Sequence, residues 1–116
     1  MKRQRAEMRG REAEELAAEW YTARGWTVAA SRVKTKLGEI DLIVRRPGMT
    51  VFAEIKWRRS ADALGLAIDE RRLARVAAAV EAVAHEYAEP DDDIRIDVLL
   101  LAPGLDPRHI PNAWQP

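Results

Sequence analysis

Two short segments hold charged residues that a half-buried strand does not ordinarily select. They are Glu39 and Asp41 in Gly38-Glu39-Ile40-Asp41-Leu42-Ile43-Val44, and Glu54 and Lys56 in Val51-Phe52-Ala53-Glu54-Ile55-Lys56-Trp57. Side chains alternate across a strand, so Glu39 and Asp41 share one face, with Ile40, Leu42 and Val44 expected on the other. In the second segment Glu54 and Lys56 share a face with Phe52 and Arg58, and Val51, Ala53, Ile55 and Trp57 point the opposite way. A tight turn centred on Pro47-Gly48 sets Asp41 across from Glu54 and Glu39 across from Lys56. Carboxylates held directly opposite, roughly 4.5–5.5 Å apart at Cβ, repel unless a cation or a proton intervenes. A divalent ion removes that conflict. Two carboxylates, usually with a backbone carbonyl and waters, suit Mg²⁺ or Mn²⁺. Such an ion acidifies water and neutralises charge on a phosphoryl oxygen. An ammonium at Lys56 would hold the attacking water or stabilise a pentacoordinate phosphate. The alternative from spacing alone is an ordinary ion-pair cluster, Glu39 with Lys56 and Asp41 near Arg58. Register decides between them, because a slip of one residue sends the acids to different faces, and a type II turn is not the favoured hairpin connection.

The elements that must position these side chains follow from periodicity. Arg9 to Arg24 reads as a helix, with Ala13, Leu16, Ala17, Trp20 and Tyr21 at three- and four-residue spacing and Gly25 as its stop. On a helical wheel Glu14 falls within the arc of Ala17, Ala18 and Tyr21, facing inward or on the rim. Trp26–Ala30 is the first expected strand, Leu37–Val44 and Thr50–Trp57 the next two, joined as a hairpin by Arg46-Pro47-Gly48-Met49. Asp69 to Tyr87 is a second helix, with an apolar stripe of Leu73, Val76, Ala77, Val80, Val83, Ala84 and Tyr87. Ile94–Leu101 reads as a fourth strand, apolar on both faces toward its end and therefore expected under helices. The order helix, three strands, helix, strand gives an α/β fold with a mixed sheet flanked by helices, one domain over residues 1–103 and a Pro-rich tail over 104–116.

Composition bounds the chemistry. The chain has 116 residues, no cysteine and two histidines, which exclude disulfides, thiolate-ligated metals and a multi-histidine cage and leave oxygen ligands for any metal. No apolar run approaches the roughly 18–20 residues of a membrane span, and the basic start Met1-Lys2-Arg3-Gln4-Arg5 lacks the apolar stretch of a secretory signal, so a cytoplasmic location is expected. The formal net charge is zero, but residues 24–59 carry nine basic against three acidic groups while residues 60–116 carry five against eleven. Lys34, Lys36, Arg45, Arg46, Arg58 and Arg59 can track phosphates, or can simply be a solvated surface. Trp20, Trp26 and Trp57 are expected to pack rather than stack on bases. His85 is expected on a polar helix face and His109 in the tail.

Gly38-Glu39-Ile40-Asp41-Leu42-Ile43 followed by Val51-Phe52-Ala53-Glu54-Ile55-Lys56-Trp57-Arg58 resembles the paired GEIDLI and FVEVKxR signatures of the YraN-like family. That family is placed among nucleases of the PD-(D/E)xK superfamily, which is restriction-endonuclease-like and Holliday-junction-resolvase-like. Glu14-Glu15-Leu16-Ala17-Ala18 leading to Gly25 resembles the family's first-helix motif, and Arg95-Ile96-Asp97-Val98 its RFDVV strand. The match spans about residues 10–101. A Glu-x-Lys tripeptide alone is weak, and it is the order and spacing of all these motifs that carries the resemblance. The resemblance implies a restriction-endonuclease-like α-β-β-β-α-β fold and metal-dependent hydrolysis of DNA, branched or flapped forms among the candidate substrates. It also implies Asp41, Glu54 and the Ile55 carbonyl as ligands for Mg²⁺ or Mn²⁺, Lys56 as the catalytic lysine and Glu14 as an outer or water-mediated ligand. Lys34, Lys36, Arg58 and Arg59 are the candidate nucleic-acid contacts. A sheet so small grips a duplex poorly, which makes a homodimer or an unidentified protein partner a candidate, although the sequence carries no heptad or other interface signature. Departures from the family pattern are Ala13 for a usual glycine, Ser31 near a usual asparagine, and Arg71 and Arg72 where a lysine often opens the second helix. The competing function is a non-catalytic DNA-binding or protein-interaction module on the same fold, in which the acids serve only as ion-pair partners.

Overall fold

Alanines at four-residue spacing let the first helix lie close against a sheet: Ala13, Ala17 and Tyr21 of α1 (Lys2–Thr22) are buried. Leu16 lies off this stripe and is exposed, which corrects its placement in the apolar set. Gly25, at φ +92°, releases the chain into β1 (Thr27–Lys34). β2 (Glu39–Arg46) and β3 (Met49–Trp57) follow, then α2 (Glu70–Tyr87), β4 (Asp93–Leu101) and the short β5 (Arg108–Ile110). The computed structural model describes residues 2–59 and 69–114, with side chains from residue 11 onward. No helix among the described residues is long and apolar enough to cross a membrane.

The five strands form one mixed sheet in sequence order. β1, β2 and β3 are antiparallel neighbours, β4 runs parallel to β3, and β5 returns antiparallel to β4. The α-β-β-β-α-β order is thus as the sequence indicates, with a fifth strand contributed by the segment read as a tail.

The hairpin turn fixes the register that matters. Gly48 takes φ +85°, the left-handed value that the third residue of a type II turn requires. Arg46 then faces Met49, and the ladder runs back through Ile43–Phe52 to Leu42–Ala53. Two apolar layers cover the sheet. On the α1 side Leu42, Val44, Val51, Ala53, Leu99 and Leu101 meet Ala13, Ala17, Tyr21 and Trp26. On the α2 side Ile43, Phe52, Ile96, Val98 and Leu100 meet Leu73, Val76, Ala79 and Val80. Ile40 packs in the α2-side layer although Leu42 and Val44 are in the other, so the expected single apolar face of β2 does not hold across Asp41. The break coincides with Arg32 of β1 at φ +52°, beside a ladder that pairs Ser31 with Leu42 and Val33 with Ile40.

A buried charge network closes the α1 side. Asp97 is fully buried and accepts hydrogen bonds from the Tyr21 hydroxyl (2.9 Å), Arg95 (2.7 and 2.9 Å) and the Asn112 N–H (3.0 Å), with His109 Nε2 at 2.7 Å. Burial would raise the Asp97 pKa, but these partners outweigh it and hold the carboxyl below the usual range. The same burial, with Asp97 beside it, pushes the Tyr21 phenol far above its ordinary value.

Candidate metal site at the end of the hairpin

The C-terminal ends of β1 and β3, the N-terminal end of β2 and the first turn of α2 meet at one end of the sheet. Asp69 caps α2, its side chain accepting from the Arg71 N–H at 2.9 Å. Gly38 lets the β1–β2 turn approach the helix, since a Cβ there would lie 3.2 Å from the Arg75 carbonyl oxygen. Gly38, Glu39, Glu54, Arg72, Arg75 and Val76 line a cleft of about 220 Å³.

Beyond Leu42–Ala53 the backbone ladder of the hairpin stops. The next N–H on that side, Ile55, donates instead to Asp41 Oδ2 at 2.8 Å. A side-chain oxygen thus stands where a strand carbonyl would. Within an extended residue the N–H and C=O point to the same side, so the Ile55 carbonyl is directed toward Asp41 as well. Glu54, on the α2 face, is 1% exposed. Its Oε1 meets Lys56 Nζ at 3.1 Å and Arg72 Nε at 2.5 Å, while its Oε2 is buried with no hydrogen-bond partner. Lys56 is 11% exposed at its side chain. Burial first, and the neighbouring Glu54 carboxylate second, push the Asp41 pKa up from 3.8 to about 7, against the lowering effect of the Ile55 N–H.

The structure therefore brings Asp41, Glu54, Ile55 and Lys56 together. It does not bring Glu14 to them: α1 lies on the other face of the sheet, and the Glu14 carboxylate is engaged by Arg32 Nε at 2.6 and 2.8 Å. Glu39 is exposed beside the cleft, opposite Lys34 in the ladder. Among the described residues there is no group of three or more His, Asp or Glu placed to hold one metal, so the two carboxylates would act with a backbone oxygen and water. The ion pairs expected from spacing alone do not form, because Lys56 turns to Glu54 rather than Glu39 and Arg58 donates to the Trp57 carbonyl at 2.8 Å. Lys34, Lys36 and Arg59 are exposed around this end of the sheet.

In the sequence Arg72 stands out only as a departure from the family pattern. The signal for its role was present, since Arg72, Arg75, Val76 and Ala79 have the spacing of one helix face, the face that α2 turns to the sheet. The tryptophans behave as expected of packing residues: Trp26 is buried under the Arg46 guanidinium, 4.2 Å from the ring centre, and Trp20 packs on His109.

The model of the Uncharacterised protein family UPF0102 matches residues 13–101. A UPF0102 protein from Erythrobacter litoralis is 59% identical over 116 residues, the whole of both chains. One from Sphingopyxis alaskensis is 52% identical over the same span. Another from Rhizorhabdus wittichii is 47% identical over 113 residues, 97% of this chain and 96% of its own. With the Gly-Glu-Ile-Asp and Glu-Ile-Lys motifs and the hairpin that joins them, these matches establish that the chain belongs to the UPF0102 family, the YraN-like family of its sequence signatures.

Proposed function

We propose that this protein is a divalent-metal-dependent nuclease that hydrolyses phosphodiester bonds in DNA, a member of the PD-(D/E)xK superfamily. The observation that carries this reading is a buried pair of adjacent carboxyl groups, Asp41 and Glu54, in which Glu54 Oε2 meets no N–H or hydroxyl donor and Oε1 has a lysine 3.1 Å away. A buried carboxylate oxygen without a partner is costly, and a hard cation is the group that best satisfies two adjacent carboxylates. Asp41, Glu54 and the Ile55 carbonyl would hold Mg²⁺ or Mn²⁺. When bound, such an ion lowers the pKa of water and neutralises charge on phosphoryl oxygens.

The chain's own groups do the rest. The Ile55 N–H fixes the orientation of the Asp41 carboxylate. Lys56, held against Glu54, offers an ammonium that orients a water or offsets negative charge at a five-coordinate phosphorus. Lys34, Lys36, Arg58 and Arg59 at the same end of the sheet would contact the DNA backbone.

The test is a panel of linear, single-stranded, flapped and four-way DNA incubated with Mg²⁺ or Mn²⁺. Cleavage of at least one substrate is expected, falling by about 10²-fold or more in Asp41→Asn and Lys56→Ala proteins whose circular dichroism is unchanged. No cleavage of any substrate, with no rise in melting temperature on adding Mn²⁺, would overturn the reading. That result would favour the non-catalytic binding module, for which Glu54 closed between Lys56 and Arg72 would be an ion-pair cluster alone.

A further inference from the structure

Arg72 stands out in the cleft because it holds a candidate metal ligand from outside. Its Nε donates to Glu54 Oε1, yet its side chain is 54% exposed, against 11% for Lys56. It projects from the first turn of α2 and lines the cleft with Arg75. Asp41 and Glu54 thus lie beside two cations, Lys56 and Arg72, both of which are paired to the single oxygen Glu54 Oε1. A doubly charged ion brought to Glu54 repels both cations and competes with them for its oxygens. Of the two resident cations, Lys56 is enclosed and Arg72 has a path to solvent. A guanidinium displaced from a carboxylate seeks another planar, multi-oxygen anion, and a phosphate accepts its forked N–H donors well.

We infer that Arg72 is an exchange residue, bonded to Glu54 in the metal-free protein and transferred to a backbone phosphate of the bound nucleic acid, so that metal and nucleic acid promote each other's binding. This inference rests on the nuclease reading of the site. Arg72 competes with the metal for Glu54 until a phosphate draws it off. By linkage, whatever factor the phosphate adds to metal affinity, the metal adds to affinity for the phosphate chain.

The experiment titrates Mn²⁺ into the full-length protein, wild type and Arg72→Gln, by calorimetry without DNA, with Asp41→Asn as the control for binding at this site. Removing the competitor is expected to tighten Mn²⁺ binding by about tenfold. In parallel, fluorescence anisotropy measures affinity for a short labelled DNA flap with Ca²⁺ replacing Mn²⁺ to slow hydrolysis. Wild-type affinity should rise several-fold on adding Ca²⁺, and Arg72→Gln should bind more weakly and lose most of that rise. Equal or weaker Mn²⁺ binding by Arg72→Gln, with both proteins still binding the ion, overturns the exchange and leaves the nuclease reading standing. Absence of Mn²⁺ binding in both proteins overturns the two together.

Discussion

In Asp41 one carboxylate oxygen is committed to the Ile55 amide at 2.8 Å, and the group as a whole lies beside the Glu54 carboxylate. The first interaction joins two strands, and the second helps to raise the Asp41 pKa, so that the pair favours a proton. Substitution by asparagine separates them, because it keeps an acceptor for Ile55 and removes the charge. The raised pKa fixes the sign of the pH dependence. Between about pH 4 and pH 7 the folded protein holds a proton on Asp41 that the unfolded chain has released, so stability from this group is full below the unfolded value of 3.8 and is lost as pH rises through about 7. In EDTA, wild type should therefore lose stability relative to Asp41→Asn between pH 4.5 and 7.5, on the order of 2–4 kcal/mol. Urea unfolding at the two pH values measures it, and parallel pH dependence in the two proteins would show that Asp41 is not held protonated. The pairing of Asp41 with Glu54 was legible in the sequence because the turn between them is local. The engagement of Glu14 by Arg32 was not, since it depends on where β1 lies against α1 and on an arginine in a left-handed backbone conformation.

At the level of elements, the hairpin is the part most directly readable. Proline and glycine specify the turn, and register follows from it. Its alternation of faces was readable only as far as Leu42, because Ile40 crosses to the α2-side layer where a side chain replaces the backbone in the ladder. The turn itself supplies a prediction. At φ +85° Gly48 has no neighbour that a Cβ would strike, so Gly48→Ala should destabilise only through backbone strain, by about 1–2 kcal/mol, read from the urea midpoint at unchanged m-value. A larger loss, or a changed m-value, would mean that the register rather than the turn had been disturbed. The short β5 carried no such signal, being three residues, Arg108–Ile110, in a proline-rich stretch without alternation.

Across the whole molecule, that short strand and the residues after it serve both faces of the sheet, Ile110, Ala113 and Trp114 packing on the α2-side layer and His109 reaching the α1 side. His109 and the Asn112 N–H complete the shell of a fully buried Asp97 that Tyr21 and Arg95 share. A chain ending at residue 103 leaves that carboxylate with two partners fewer, and breaking a buried charge cluster costs about 3–5 kcal/mol. Truncation is therefore expected to lower the melting temperature by 10 °C or more, roughly 4–8 °C per kcal/mol for a domain of this size. An unchanged melting temperature would show that Asp97 is satisfied without the last strand. The proposed metal site, at the far end of β3 and on the opposite face, should keep its geometry in whatever fraction stays folded. The stitch made by Asp41 has a consequence for descent. A lineage that abandoned chemistry at this cleft would still need an oxygen at position 41 to keep its two strands sewn together, so decay would be written first at Glu54 and Lys56, and an intact aspartate there would say less about living function than an intact lysine.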